Sequence, residues 1–201
     1  MKISLKKAWL VAKINFRVSK LTYIFTIVLA LAGSASLIQS WITQSQSICI
    51  DIGNYLYIAV VLNAIFIPVL NFKRIMNLNG KKIDYFWGVL INYTIVAAVV
   101  SFVNILLFLM WRETSLNVLN LVQVFGWINH GITAAFIQQF CFLLLISLFT
   151  HTLTSMQTFL AGWITDIVII SIISIFTPIA SLRKVLVWFF NMIIFNNNAL
   201  I

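Results

Sequence analysis

Five stretches of this chain, residues 21–42, 52–70, 86–110, 132–150 and 158–176, are apolar for about the length a helix needs to cross a bilayer. The first four hold no charged residue, and the fifth holds one, Asp166. Inside hydrocarbon a backbone amide finds no water, so a spanning segment must satisfy its own hydrogen bonds, and runs of this length predict helices. Composition agrees. The chain is 62% hydrophobic and 8% charged, where a soluble domain is roughly a quarter charged. The expected fold is an all-α, polytopic membrane protein with about five transmembrane helices, or six if the apolar segment 185–195 inserts. Eleven residues are too few for a helix to cross a core of roughly 30 Å, so that segment is expected to lie at the interface.

The first twenty residues have a different pattern. At about 100° per residue, Lys2, Lys6, Lys13, Arg17 and Lys20 fall within a sector of roughly 60°, and apolar residues cover most of the remainder. A narrow basic stripe on an otherwise apolar helix predicts an amphipathic helix lying in the interfacial plane with its cations toward lipid phosphates. Residues 1–20 are therefore read as an interfacial helix, and residues 21–201 as one transmembrane domain. Ala30, Leu31 and Ala32 have the form of a signal-peptidase site, but the uncharged run continues past them, and an uncleaved first span is expected.

Charge sets the orientation. The net charge is +9, from thirteen Lys and Arg against four acids. With the amino terminus in the cytoplasm, ten cations fall on cytoplasmic segments and three outside, which satisfies the positive-inside rule. Because these cations cluster beside apolar runs, they point to anionic lipid and not to nucleic acid.

Motifs for chemistry do not emerge. No phosphate-binding loop, HExxH helix or Cys/His metal pattern occurs, so no catalytic residue, metal ligand or cofactor is assigned to this chain. Cys49 and Cys141 are not expected to pair, and His130 and His151 are read as packing at membrane edges. Asp166, the one acid inside a span, is either functional or a hydrogen-bonded group that helps helices associate. Its expected surroundings are polar span residues such as Asn63, Asn92, Asn104, Gln138 and Gln139, or a water-lined cavity, and with Gln138 and Gln139 it forms a candidate pathway.

The sharpest partner signal is the polar segment 71–85, NFKRIMNLNGKKIDY. It reads as a short amphipathic helix stopped by Gly80, shaped to press into a groove on a partner. The basic first helix, a pair of spans and the sequence Gly80-Lys81-Lys82-Ile83-Asp84-Tyr85-Phe86-Trp87-Gly88 together resemble the permease subunits of bacterial type-2 ABC exporters. That resemblance covers residues 1–110 well and the rest loosely. It implies that the first helix is an elbow and that segment 71–85 is a coupling helix. Lys73, Arg74, Ile75, Met76, Leu78, Asn79, Gly80 and Lys81 would then touch a cytoplasmic ABC ATPase subunit carrying ATP and Mg. It also implies a second permease copy or homologue as partner and a place in the bacterial cell membrane. The family usually has six spans, and this chain offers five. An amphipathic cargo, lipid-like or a hydrophobic peptide as in antimicrobial peptide export or immunity, is expected, because no span presents a strongly charged path. Two rivals are a non-transporting accessory or immunity subunit and an ion-coupled carrier centred on Asp166.

Overall fold

A computed structural model of the chain describes residues 5–43, 49–112, 118–176 and 180–193. It is built almost entirely of helices. In chain order they are α1 (Leu5–Val18), α2 (Lys20–Thr43), α3 (Ile52–Asn77), α4 (Lys82–Arg112), α5 (Leu121–Val124), α6 (Ile132–Met156), α7 (Leu160–Phe176) and α8 (Ala180–Ile193), with a single 3-10 turn at Trp127–His130. Two-residue strands β1 (Cys49–Ile50) and β2 (Val118–Leu119) pair in parallel, Cys49 with Val118 and Ile50 with Leu119. The chain divides into two compact units, Met1–Thr154 and Ser155–Ile201.

Among the described residues, four helices are long and apolar enough to cross a membrane: α2, α3, α4 and α6. This is a membrane-embedded helical protein. The fifth expected span is represented by α7, whose 17 residues reach about 25 Å and fall short of a roughly 30 Å core. In contrast, α4 has 31 residues and reaches about 46 Å, so it must extend beyond the hydrocarbon even when tilted.

In the first unit, α3 and α4 form an antiparallel hairpin, α2 packs on α3, and α1 packs chiefly on α4 with a smaller contact to α3. The β1–β2 pair brings the segment before α3 beside the segment after α4, at the end of the hairpin opposite its turn. That is the placement alternating spans require. One apolar cluster near the turn joins Val11 of α1, Ala64, Ile67 and Ile75 of α3, and Tyr85, Val89 and Tyr93 of α4. A second joins Val60, Val96, Ala97 and Val100 to Leu143 of α6. Lipid is as apolar as these side chains, so close van der Waals fit between small residues holds such helices together. Gly88 shows this fit: a Cβ there would lie 2.5 Å from Val11 Cγ1 and 2.7 Å from the Ala8 carbonyl oxygen.

The buried face of α1 is Ala8, Val11, Ala12 and Asn15, on the side opposite the basic stripe. Lys6, Lys13, Arg17 and Lys20 are exposed, as is Lys7, and Lys2 lies outside the described residues.

The largest departure from expectation lies at residues 71–85. They do not form a helix of their own. α3 continues through Pro68 to Asn77, and α4 begins at Lys82, leaving a turn of four residues, 78–81. Charge ended the apolar run near Leu70, but nothing there breaks a helix, and Pro68 is accommodated inside it. Between α4 and α6 the described residues form β2, α5 and the 3-10 turn, all too short to span. The apolar segment 185–195 lies mostly within α8, whose 14 residues are also too few to cross.

Candidate functional site

Two places in the first unit concentrate polar groups. The first is the tip of the α3–α4 hairpin. The last turn of α3 closes with two reverse bonds: Gly80 N–H donates to the Ile75 carbonyl at 3.0 Å, and Asn79 N–H to the Met76 carbonyl at 3.1 Å. This is a Schellman closure, and its left-handed position is filled by Asn79 at φ 57°, not by Gly80. Gly80 serves a different need. A Cβ on it would sit 2.6 Å from Ile75 Cγ2 and 2.7 Å from the Ile75 carbonyl oxygen.

The expected contact residues divide on this turn. Lys73, Arg74, Leu78, Asn79 and Lys81 are exposed, Met76 and Gly80 are half-buried, and Ile75 is buried in the core cluster. Ile75 is thus an anchor of the tip and not part of its surface. Behind the tip, Tyr85 stacks edge-on to Phe72 with centroids 5.2 Å apart. His151 of α6 packs against Tyr85 and Tyr93 and shares a 2.8 Å hydrogen bond between its Nδ1 and the Tyr93 hydroxyl. The result is a rigid point with Leu78 70% exposed among cations.

The second place is at the strap end of the hairpin. Asp51 is fully buried and caps α3, its Oδ1 accepting from Gly53 N–H at 2.9 Å. Its Oδ2 accepts from Asn120 Nδ2 at 2.7 Å. Asn120 in turn caps α5 through Val122 N–H at 2.8 Å, and donates to Asn104 Oδ1 at 3.0 Å. Asn104 Nδ2 and Gln139 Nε2 both donate to the Tyr57 hydroxyl, at 2.8 and 2.7 Å. Asn54 bridges the same two segments, donating to the Leu119 carbonyl and accepting from Leu121 N–H. A continuous polar chain therefore runs from Asp51 to Gln139 in the bundle interior.

Burial holds the Asp51 carboxyl above its ordinary 3.8, with the bonds from Asn120 and Gly53 pulling the other way. The raised value means that the charged form is the costly one in the fold. The contribution of this group to stability is greatest below pH 3.8, declines as pH rises from there to the folded value, and is level above it. Unfolding of the purified chain measured across that window should show this decline, and Asp51→Asn should flatten it.

The candidate pathway comes out differently from expectation. Asp166 Oδ2 accepts from Gln157 Nε2 at 2.8 Å within the second unit, so its partner is Gln157. Asn104 and Gln139 are committed to Tyr57, and Gln138 is half-buried with its Oε1 unpaired. Asn15 and Asn71 pair with each other at 2.8 Å, tying α1 to α3. Cys49 is buried with its Sγ 2.9 Å from Ser40 Oγ, while Cys141 is exposed. Sequence reasoning missed Asp51, Asn54, Tyr57 and Asn120 as a group. The available signal was that Asp51 and Asn120 each stand directly before an apolar helical start, as capping residues do.

No family model, curated protein or solved structure matches the chain.

Proposed function

We propose that this chain is a permease-type membrane subunit whose α3–α4 hairpin tip docks on a separate cytoplasmic ATPase of an ABC exporter. The observation that carries the reading is the tip itself. Exposed Leu78 stands among Lys73, Arg74 and Lys81 on a turn locked by Asn79 and Gly80 and anchored by buried Ile75. An apolar knob ringed by cations on a rigid support suits an acid-rimmed groove in a partner. The helices that carry it outreach the hydrocarbon, so the tip projects into water.

In this reading the amino terminus is cytoplasmic, α1 is the elbow, and α7 is a fifth crossing in a locally thinned bilayer. The membrane is the bacterial cell membrane, and two such subunits work with two ATPases. The cargo is an amphipathic lipid or hydrophobic peptide, moved by ATP that the partner hydrolyses. Purified gently from its own membranes, the full chain should bring ATP hydrolysis with it. Reversing charge at Arg74 and Lys81 together (R74E, K81E) should lower the co-purified hydrolysis by about tenfold or more. Hydrolysis undiminished in a well-folded double variant would refute the docking site.

A second reading, a non-transporting accessory or immunity subunit that binds partners in the bilayer, draws on the strap end. There β1–β2 and the Asp51–Asn120 bond tie the α3–α4 hairpin shut. It expects no ATPase to co-purify at all.

A further inference from the structure

At the strap end a cleft of about 870 Å³ opens between the last turn of α4, β2, α5 and the 3-10 turn. Its size is within the roughly 300–1,000 Å³ typical of small-molecule sites. Its lining includes the aromatic side chains of Phe108 and Trp111, the apolar Val118 and Ile128, and the amides of Gln123 and Asn129. Among the described lining residues, two are charged. Asp51 is fully buried and already bonded to Gly53 and Asn120, whereas Arg112 is exposed. Of these two, the charge open to an entering molecule is the Arg112 guanidinium.

The cleft's depth in the bilayer is set by its helix. Trp111 and Arg112 end α4 directly after the uncharged run 86–110, the position where aromatic and cationic side chains mark the boundary between hydrocarbon and water. Met110, directly before Trp111, is exposed. A molecule resting here would hold its head at the water boundary and its tail against Phe108, Trp111 and Ile128. A guanidinium suits a phosphate oxygen pair in a way a lysine would not, and the two amides offer further donors to the same head.

We infer that this cleft is a binding site for an anionic phospholipid, with its phosphate on Arg112 and the upper part of its acyl chain along Phe108 and Trp111. The site requires only that the chain sit in a bilayer, and it stands or falls independently of any ATPase. It is also separate from the basic stripe of α1, whose cations line a different helix.

The test reads Trp111 alone. The full-length protein is reconstituted in vesicles of phosphatidylcholine containing either brominated phosphatidylglycerol or brominated phosphatidylcholine. The Trp111 signal is taken as the difference between the wild-type chain and Trp111→Phe. In the wild type, that signal should be quenched at about fivefold lower mole fraction of the anionic lipid, the factor one cation facing anionic lipid supplies. Arg112→Gln should erase the preference, and Arg112→Lys should keep part of it. Equal quenching by the two lipids in the wild type, or a preference that survives Arg112→Gln, would overturn the site. Arg112 is exposed, so these changes leave the fold in place, and an unchanged circular dichroism spectrum checks that.

Discussion

Asp51→Ala should unfold the strap end first and lower stability by somewhat less than about 2 kcal/mol. Two costs add. Loss of the cap on α3 removes an acceptor for Gly53 N–H, typically worth ~1 kcal/mol. Loss of the second oxygen strips one of the two bonds made by the fully buried Asn120 Nδ2, another ~1 kcal/mol. Relief of the buried charge offsets part of this sum at neutral pH. Hydrogen exchange gives the sharper readout. Peptides covering 49–54 and 118–124 should exchange faster in the variant, because Asp51 N–H and the β1–β2 pair lie between them. Protection unchanged in both segments would mean that the polar chain does not hold the strap. Asp51→Asn is not a neutral control for stability. An amide can accept from Gly53 or from Asn120, but its own NH2 then faces the other donor.

Gly88→Leu should be the more damaging change, at about 3 kcal/mol, and it should act on α1. Even a methyl group at this position meets Val11 Cγ1 and the Ala8 backbone at distances real side chains do not tolerate. Val11 can turn aside, but the Ala8 carbonyl cannot, so α1 must move off α4. Overpacking commonly costs about 1–3 kcal/mol, and here the contacts of Ala8, Ala12 and Asn15 are lost with it. A cysteine at the fully buried Ala12 reports the movement directly. In an Ala12→Cys background with Cys49 and Cys141 replaced by alanine, adding Gly88→Leu should speed maleimide labelling by about tenfold or more. Labelling at the parent rate would show that α1 stays docked and that the bundle absorbs the leucine elsewhere.

Much of this architecture could be read from residue types alone. The long apolar helices follow from uncharged runs, and Lys6, Lys13, Arg17 and Lys20 are exposed while Ala8, Val11, Ala12 and Asn15 of α1 are buried. The hairpin tip was misread for a physical reason. Lipid ends where charge begins, but a helix ends only where its hydrogen bonds do, and Phe72 to Asn77 continue those of α3 without a break. Gly80 looked like the left-handed stop because glycine adopts that conformation freely, yet asparagine does so too, and Asn79 takes the position.

The strap cluster was hidden by distance along the chain. Asp51 and Asn120 are separated by 69 residues and meet only because α3 and α4 are folded back on each other. Gln139 and Asn104, polar groups in apolar runs, are expected to partner Asp166 but bond to Tyr57. Their partner, Tyr57, went unnoticed because a tyrosine in an apolar run reads as filler until its hydroxyl has neighbours.

The parallel pairing of β1 and β2 has a mechanical meaning. α3 and α4 are joined at one end by a four-residue turn and pinned at the other by strand pairing and the Asp51–Asn120 bond, so they behave like the two rails of a ladder with both end rungs in place. Rails held this way cannot scissor apart. They can slide by a fraction of a helical turn or roll against each other, and both motions would carry a displacement at the tip along about 40 Å of helix to the opposite end. A push at Leu78 would then be felt as a twist at Tyr57 and Asn104, not as an opening of the bundle.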